Sequence, residues 1–139
     1  MVDRRVIEER LLKLEEYVNL LSGQQKISEA EFVSDPHIYG FVERFLHLAI
    51  ECVIDVGNHV IASEGFEKPQ EYKEIPAVLA GKQIIPEKFS RVLAEMAKFR
   101  NLLVHDYLKI DRHKVYGVLQ KNLDDFRAFA RYIELYLSR

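Results

Sequence analysis

The apolar residues of this chain return every three or four positions, and no stretch sustains the alternation of apolar and polar side chains that a half-buried strand would show. That periodicity points to an all-α fold, and the punctuation between periodic segments gives its layout. A first helix spans about residues 2–21, with Ile7, Leu11, Leu14, Val18 and Leu21 on one stripe. Gly23 follows it, where a left-handed cap costs little. Ser28-Glu29-Ala30-Glu31 has capping-box spacing, and Asp35-Pro36 pairs an N-cap acid with proline at a first helical position. The long helix that starts there carries the stripe Ile38, Phe41, Phe45, Leu48, Cys52 and Val56, and Glu64-Gly65 closes it after about Ala62. Residues 65–86 hold three prolines and two glycines, a connector with one or two helical turns around Val78-Leu79-Ala80. Pro86 then starts a helix with Phe89, Val92, Met96, Phe99 and Leu103 inward, and Asp111 caps a last helix carrying Val115, Val118, Leu119, Phe126, Phe129, Ile133 and Leu137. The expected architecture is an up-and-down bundle of four main helices with one or two short extra helices.

A chain of 139 residues suits a single domain over 1–139. Hydrophobic residues at 48% and charged residues at 30% fit a globular protein rather than a disordered one. No run approaches the roughly 18 consecutive apolar residues of a membrane-spanning helix, and acids interrupt the N-terminus where a secretory signal carries bases, so a soluble chain without a membrane partner is expected. The one cysteine, Cys52, excludes an internal disulfide and a Cys-rich zinc site, which suits a reducing cytoplasm. Phosphate-cradling GxxxxGK[ST] and GxGxxG loops are missing, as is HExxH, and none of the five histidines follows a glutamate by three residues. Neither a metal nor a cofactor is expected. The formal net charge of −2 rules out coating nucleic acid by bulk electrostatics, but it is unevenly spread, −6 over residues 1–85 and +4 over residues 86–139.

Within the basic half one segment concentrates reactive groups: Lys98-Phe99-Arg100-Asn101-Leu102-Leu103-Val104-His105-Asp106-Tyr107. With Phe89 to Leu103 facing the core, Arg100 lies about 60° from the centre of the stripe and His105 roughly 160° away, at 100° per residue. One straight helix cannot aim both at one atom. Either the helix breaks near residues 103–106, or two copies of the segment face each other across a two-fold axis and form a composite basic cleft suited to a phosphodiester. Taken singly, Arg100 and His105 also read as cations complementing a helix C-terminus, and Tyr107 as a packed ring.

Arg100-Asn101-x-x-x-His105-x-Tyr107 in a helical bundle, with Ile110-Asp111 after it and Pro69-x-x-Tyr72 and Ile84-Ile85-Pro86 before it, resembles the Arg-x4-His-x-Tyr signature of HepT-like proteins in the HEPN superfamily over roughly residues 6–137. The resemblance implies a HEPN-like fold and a metal-independent endoribonuclease toxin of a prokaryotic type II or type VII-like toxin–antitoxin pair. It further implies a homodimer with Arg100 and His105 at the interface, RNA (tRNA or mRNA) as substrate, and a minimal nucleotidyltransferase as antitoxin. Silencing would come from complex formation or from AMP transfer to Tyr107. Asn101 and Asp106 are candidate supporting residues: Asn101 to orient phosphate or cap the helix, Asp106 to orient an imidazole or repel RNA. The competing reading is a non-catalytic helical module that binds a nucleotide or the nucleotidyltransferase.

Overall fold

Side chains at the helix starts decide where the elements begin. The computed structural model describes residues 3–139, and of Tyr107 the backbone alone, so the expected start of the first helix at Val2 lies outside the described residues. Asp3 accepts from the Val6 amide and opens α1 (Arg4–Ser22). Ser28 accepts from the Glu31 amide at 3.2 Å, its hydroxyl donates to the Glu31 carboxylate at 3.3 Å, and this N-cap opens α2 (Glu29–Ser34). Asp35 accepts from the His37 amide at 2.9 Å and starts α3 (Pro36–Ser63). A 3-10 turn, Tyr72–Glu74, leads into α4 (Ile75–Gly81), then come α5 (Glu87–His105), a second 3-10 turn, Tyr107–Lys109, α6 (Arg112–Lys121) and α7 (Leu123–Leu137). No strand occurs among the described residues.

The whole stripe predicted for α1 is buried, and it packs along α3. Each fully buried Leu, Ile or Val contributes about 1.5–3 kcal/mol relative to exposure, so this seam is a principal source of stability. On α3 the structure corrects the expected stripe. Cys52 and Val56 are buried, but Ile38, Phe41, Phe45 and Leu48 are only half-buried, while Val42, Leu46, Ala49, Val53 and Val60 are sealed. The cause is that α3 sits at the centre of the bundle and touches α1, α2, α4, α5, α6 and α7, so most of its circumference is apolar and no single stripe marks its deepest face. For the same reason α3 is long and apolar enough to cross a membrane by length and mean hydropathy (1.4 over 18 residues), although no run of the sequence is uninterrupted; 56% of that window is buried within the bundle.

Three further differences have local causes. Gly23 is right-handed (φ −64°), whereas Gly65 is left-handed (φ 71°), which lets the chain turn out of α3. The inward face of α5 is rotated slightly from the expected stripe, with Leu93 and Ala97 buried and Val92 and Leu103 half-buried. The expected last helix is two: the chain breaks at Asn122 (φ −114°, ψ 2°), whose side-chain amide donates to Asp125 at 2.8 Å. α6 is fastened independently. Arg112 lies 4.3 Å above the Tyr39 ring and 3.5 Å from Glu43 of α3, His113 pairs with Glu29 of α2 at 2.8 Å, and the Tyr116 hydroxyl donates to the Ile27 carbonyl. Burial pushes the Glu43 carboxyl above its ordinary range, against the opposing pull of Arg112. On the other side of α3, Gly57 admits α4 closely, since a Cβ there would lie 2.6 Å from Ile75 Cγ2.

Candidate functional site

The motif segment ends α5. The helix remains α-helical through His105, and the Asp106 amide closes it by donating to the Leu102 carbonyl at 3.2 Å. α5 does end within the expected window, 103–106, but only after His105, so His105 keeps its helical direction and does not swing back toward Arg100. Five residues of continuous helix therefore separate Arg100 from His105, so their side chains leave the axis about 140° apart and about 7.5 Å along it. The helix alone therefore does not aim the two side chains at one point.

Arg100 turns toward α3. Its side chain is only 14% exposed, and its Nε donates to Glu51 of α3 in a short hydrogen bond. Nη1 donates to Asn101 Oδ1 at 3.2 Å, and the guanidinium lies 5.1 Å over the ring of Tyr72. Glu51 also has His47 Nε2 at 3.4 Å, one helical turn earlier. A carboxylate, an imidazole, an amide and a ring thus fix the direction of one guanidinium and leave part of its hydrogen-bonding fork available for an anion. Asn101 acts here on Arg100 and does not cap the helix.

His105 is exposed, as is Asp106, and Asp106 places its carbonyl 2.7 Å from the Lys109 amide to form the following turn. On the helix surface His105 shares a side with Lys98, Asn101 and Leu102, which line a groove between α5 and the α6–α7 corner. The side chain of Tyr107 lies outside the described residues; its backbone begins the 3-10 turn, beside Leu108, which is 88% exposed. Among the described residues, no three His, Cys, Asp or Glu side chains gather as a metal site requires.

Glu51 and His47 are the residues that sequence reasoning missed. They come from a helix about fifty residues upstream of Arg100, so only the packing of α3 on α5 joins them. A signal was present, since Glu43, His47, Glu51, Asp55 and His59 form a polar row at four-residue spacing on a mostly apolar helix.

Chemically, the segment offers a fixed cation directed one way and an exposed imidazole directed another, on the end of a helix. Comparison with known proteins gives the same frame. The model of the "Ribonuclease HepT-like" family matches residues 7–133. The chain is 27% identical over 132 residues to "tRNA nuclease HepT" of Aphanizomenon flos-aquae, covering 95% of this chain and 90% of that one. Its fold superposes with a TM-score of 0.86 and 26% identity on a tri-AMPylated HEPN toxin of Shewanella oneidensis solved in complex with its MNT antitoxin, covering 97% and 99% of the two chains. A Bacillus subtilis protein, YutE, described as cytosolic, superposes with a TM-score of 0.85 and 26% identity, covering 99% of this chain and 92% of that one. With nearly the whole chain matched by the family model, the protein belongs to the ribonuclease HepT-like family.

Proposed function

We propose that this chain, a HEPN-like domain over residues 1–139, is a metal-independent endoribonuclease toxin that acts in the cytoplasm as a homodimer. Arg100 and His105 are its catalytic residues, with Asn101 and Asp106 supporting them. The observation that carries the reading is the placement of Arg100 and His105 about 140° apart on the uninterrupted end of α5 in a chain of this family. A phosphodiester touched by one protomer's Arg100 therefore takes its histidine from the other copy, and a two-fold axis supplies two histidines to one cleft.

Cleavage of RNA by its own 2′-hydroxyl needs a base to take the hydroxyl proton, an acid to protonate the departing 5′-oxygen, and a cation for the charge on the phosphorane. One imidazole takes the proton and the second gives one, leaving a 2′,3′-cyclic phosphate and a 5′-hydroxyl. Histidine is the side chain suited to either role. Arg100, held by Glu51, presents its terminal nitrogens to the phosphate.

The partner in this reading is a minimal nucleotidyltransferase antitoxin that transfers AMP to Tyr107, two residues beyond His105. A bulky anion there blocks RNA by volume and by charge. The Shewanella toxin, AMPylated and bound to its MNT antitoxin, is the supporting parallel.

The test is cleavage of total tRNA in EDTA by wild type, Arg100→Ala and His105→Ala, with end-group analysis. Cleavage by wild type alone, leaving cyclic phosphate ends, is expected. An unmodified wild type that binds the nucleotidyltransferase but leaves RNA intact would favour a non-catalytic binding module.

A further inference from the structure

We propose that the groove between α5 and the α6–α7 corner seats one unstacked nucleobase of the RNA substrate, and that Asp106 selects guanine there. The proposal rests on the nuclease reading and adds a specificity subsite to it.

The groove encloses about 620 Å³ and has an apolar floor that includes Met96, Phe99, Val118 and Phe126. Pockets of this size and lining suit small planar ligands, and RNA is recognised chiefly through bases splayed out of their stack onto such surfaces. Its position follows from helix geometry. His105 leaves α5 on the same side as Asn101 and Leu102, which line the groove, so a phosphate engaged by His105 carries its neighbouring base over the opening.

The mouth is chemically divided. Lys98 and Lys114 offer cations to the sugar–phosphate backbone; Lys98 is shared with Glu95 at 3.2 Å, whereas Lys114 forms no ion pair among the described residues. Asp106 is exposed at the same mouth, and its carboxylate has no hydrogen-bond partner among the described residues. With Asp106, Glu95 and Asp125 the lining holds three carboxylates against two lysines, which repels phosphates from the interior but not an uncharged base. The backbone is thereby kept to the rim.

Guanine follows from the donor inventory. An ionised carboxylate only accepts hydrogen bonds, through two oxygens side by side. Guanine presents two adjacent donors on its Watson–Crick edge, N1–H and the N2 amino group. Adenine and cytosine each set one amino group beside an acceptor, and uracil sets one N–H between two carbonyls. Asp106→Asn replaces one acceptor by a donor and removes the match.

Equilibrium binding decides the matter without relying on catalysis. Short RNA oligonucleotides blocked by a 2′-O-methyl group at the scissile position would carry guanosine, inosine, adenosine, cytidine or uridine at each flanking position. Fluorescence anisotropy would compare wild type with Asp106→Asn, and sedimentation would record the oligomeric state of both. Wild type is expected to prefer guanosine about tenfold over inosine, which lacks the amino donor, and the variant is expected to lose that preference. Equal binding of all five by wild type overturns the proposal, as does a guanosine preference that survives in Asp106→Asn. A change of oligomeric state in the variant also overturns it, by assigning the groove to a contact between copies. A wild type that shows the preference yet leaves the unblocked oligonucleotide intact would remove the nuclease reading and keep this one.

Discussion

The α1–α3 seam and the free end of α5 are built on opposite principles. Along the seam the apolar stripe of α1, from Ile7 to Leu21, is buried, and the charged groups stay at its margins, as where Arg10 lies 4.0 Å from Asp55. At the end of α5, within seven residues, Arg100, Asn101, His105 and Asp106 are partly or wholly accessible, and Leu108 stands in solvent just beyond. The seam stabilises the fold and leaves little room for chemistry, whereas the α5 end exposes reactive groups and contributes little to the core. The two meet at one residue, Glu51, which belongs to the helix of the seam and holds the guanidinium of the site.

Substitutions can break or sharpen this contrast. His105→Ala should lower RNA cleavage by about 10²–10⁴-fold, the usual worth of a general acid–base group, and leave the thermal midpoint unchanged because the side chain is exposed. Leu14→Ala is the mirror image. Leu14 is 2% exposed, and its loss should cost about 3 kcal/mol in denaturant unfolding while the cleavage rate per folded molecule holds. A change in that rate would show that the seam reaches the site by more than Glu51. Glu51→Gln should cross the divide, cutting cleavage about tenfold through a misdirected Arg100 with only a small loss of stability. Gly57→Ala should destabilise by about 1–2 kcal/mol, since the new methyl group must displace Ile75.

The smallest effect concerns the fastening of α6. The Glu29 carboxylate beside His113 raises the imidazole above its ordinary 6.5. A raised value means the folded state binds the proton more tightly, so this contact contributes fully below about pH 6.5 and fades as the pH climbs through the folded value. The stability gap between wild type and His113→Gln should therefore be wider at acid pH than at alkaline pH. A constant gap would make the pair ornamental.

What the sequence disclosed follows the same division. Local signals sufficed for the caps at Ser28, Asp35 and Asp111 and for the α1 stripe, because each is settled within one turn of helix. Reading the motif also required nothing distant. The face of α3 was misread because a helix surrounded by neighbours carries no one-sided pattern, so Phe41 and Phe45 looked as good as Val42 and Leu46. The break at Asn122 was hidden for a related reason: the apolar spacing runs on through Leu123 and Phe126, while a polar side chain redirects the backbone. The link from Glu51 and His47 to Arg100 depends on the packing of two helices, which no local window contains.

The straightness of α5 up to His105 has a consequence for dosage. If one strand of RNA must meet an arginine from one chain and a histidine from another, a solitary chain is harmless. Below the dissociation constant of the pair, the cutting rate then rises with the square of the number of chains. A cell making a few stray copies would pay almost nothing, and a modest burst of synthesis would cross from tolerance to arrest.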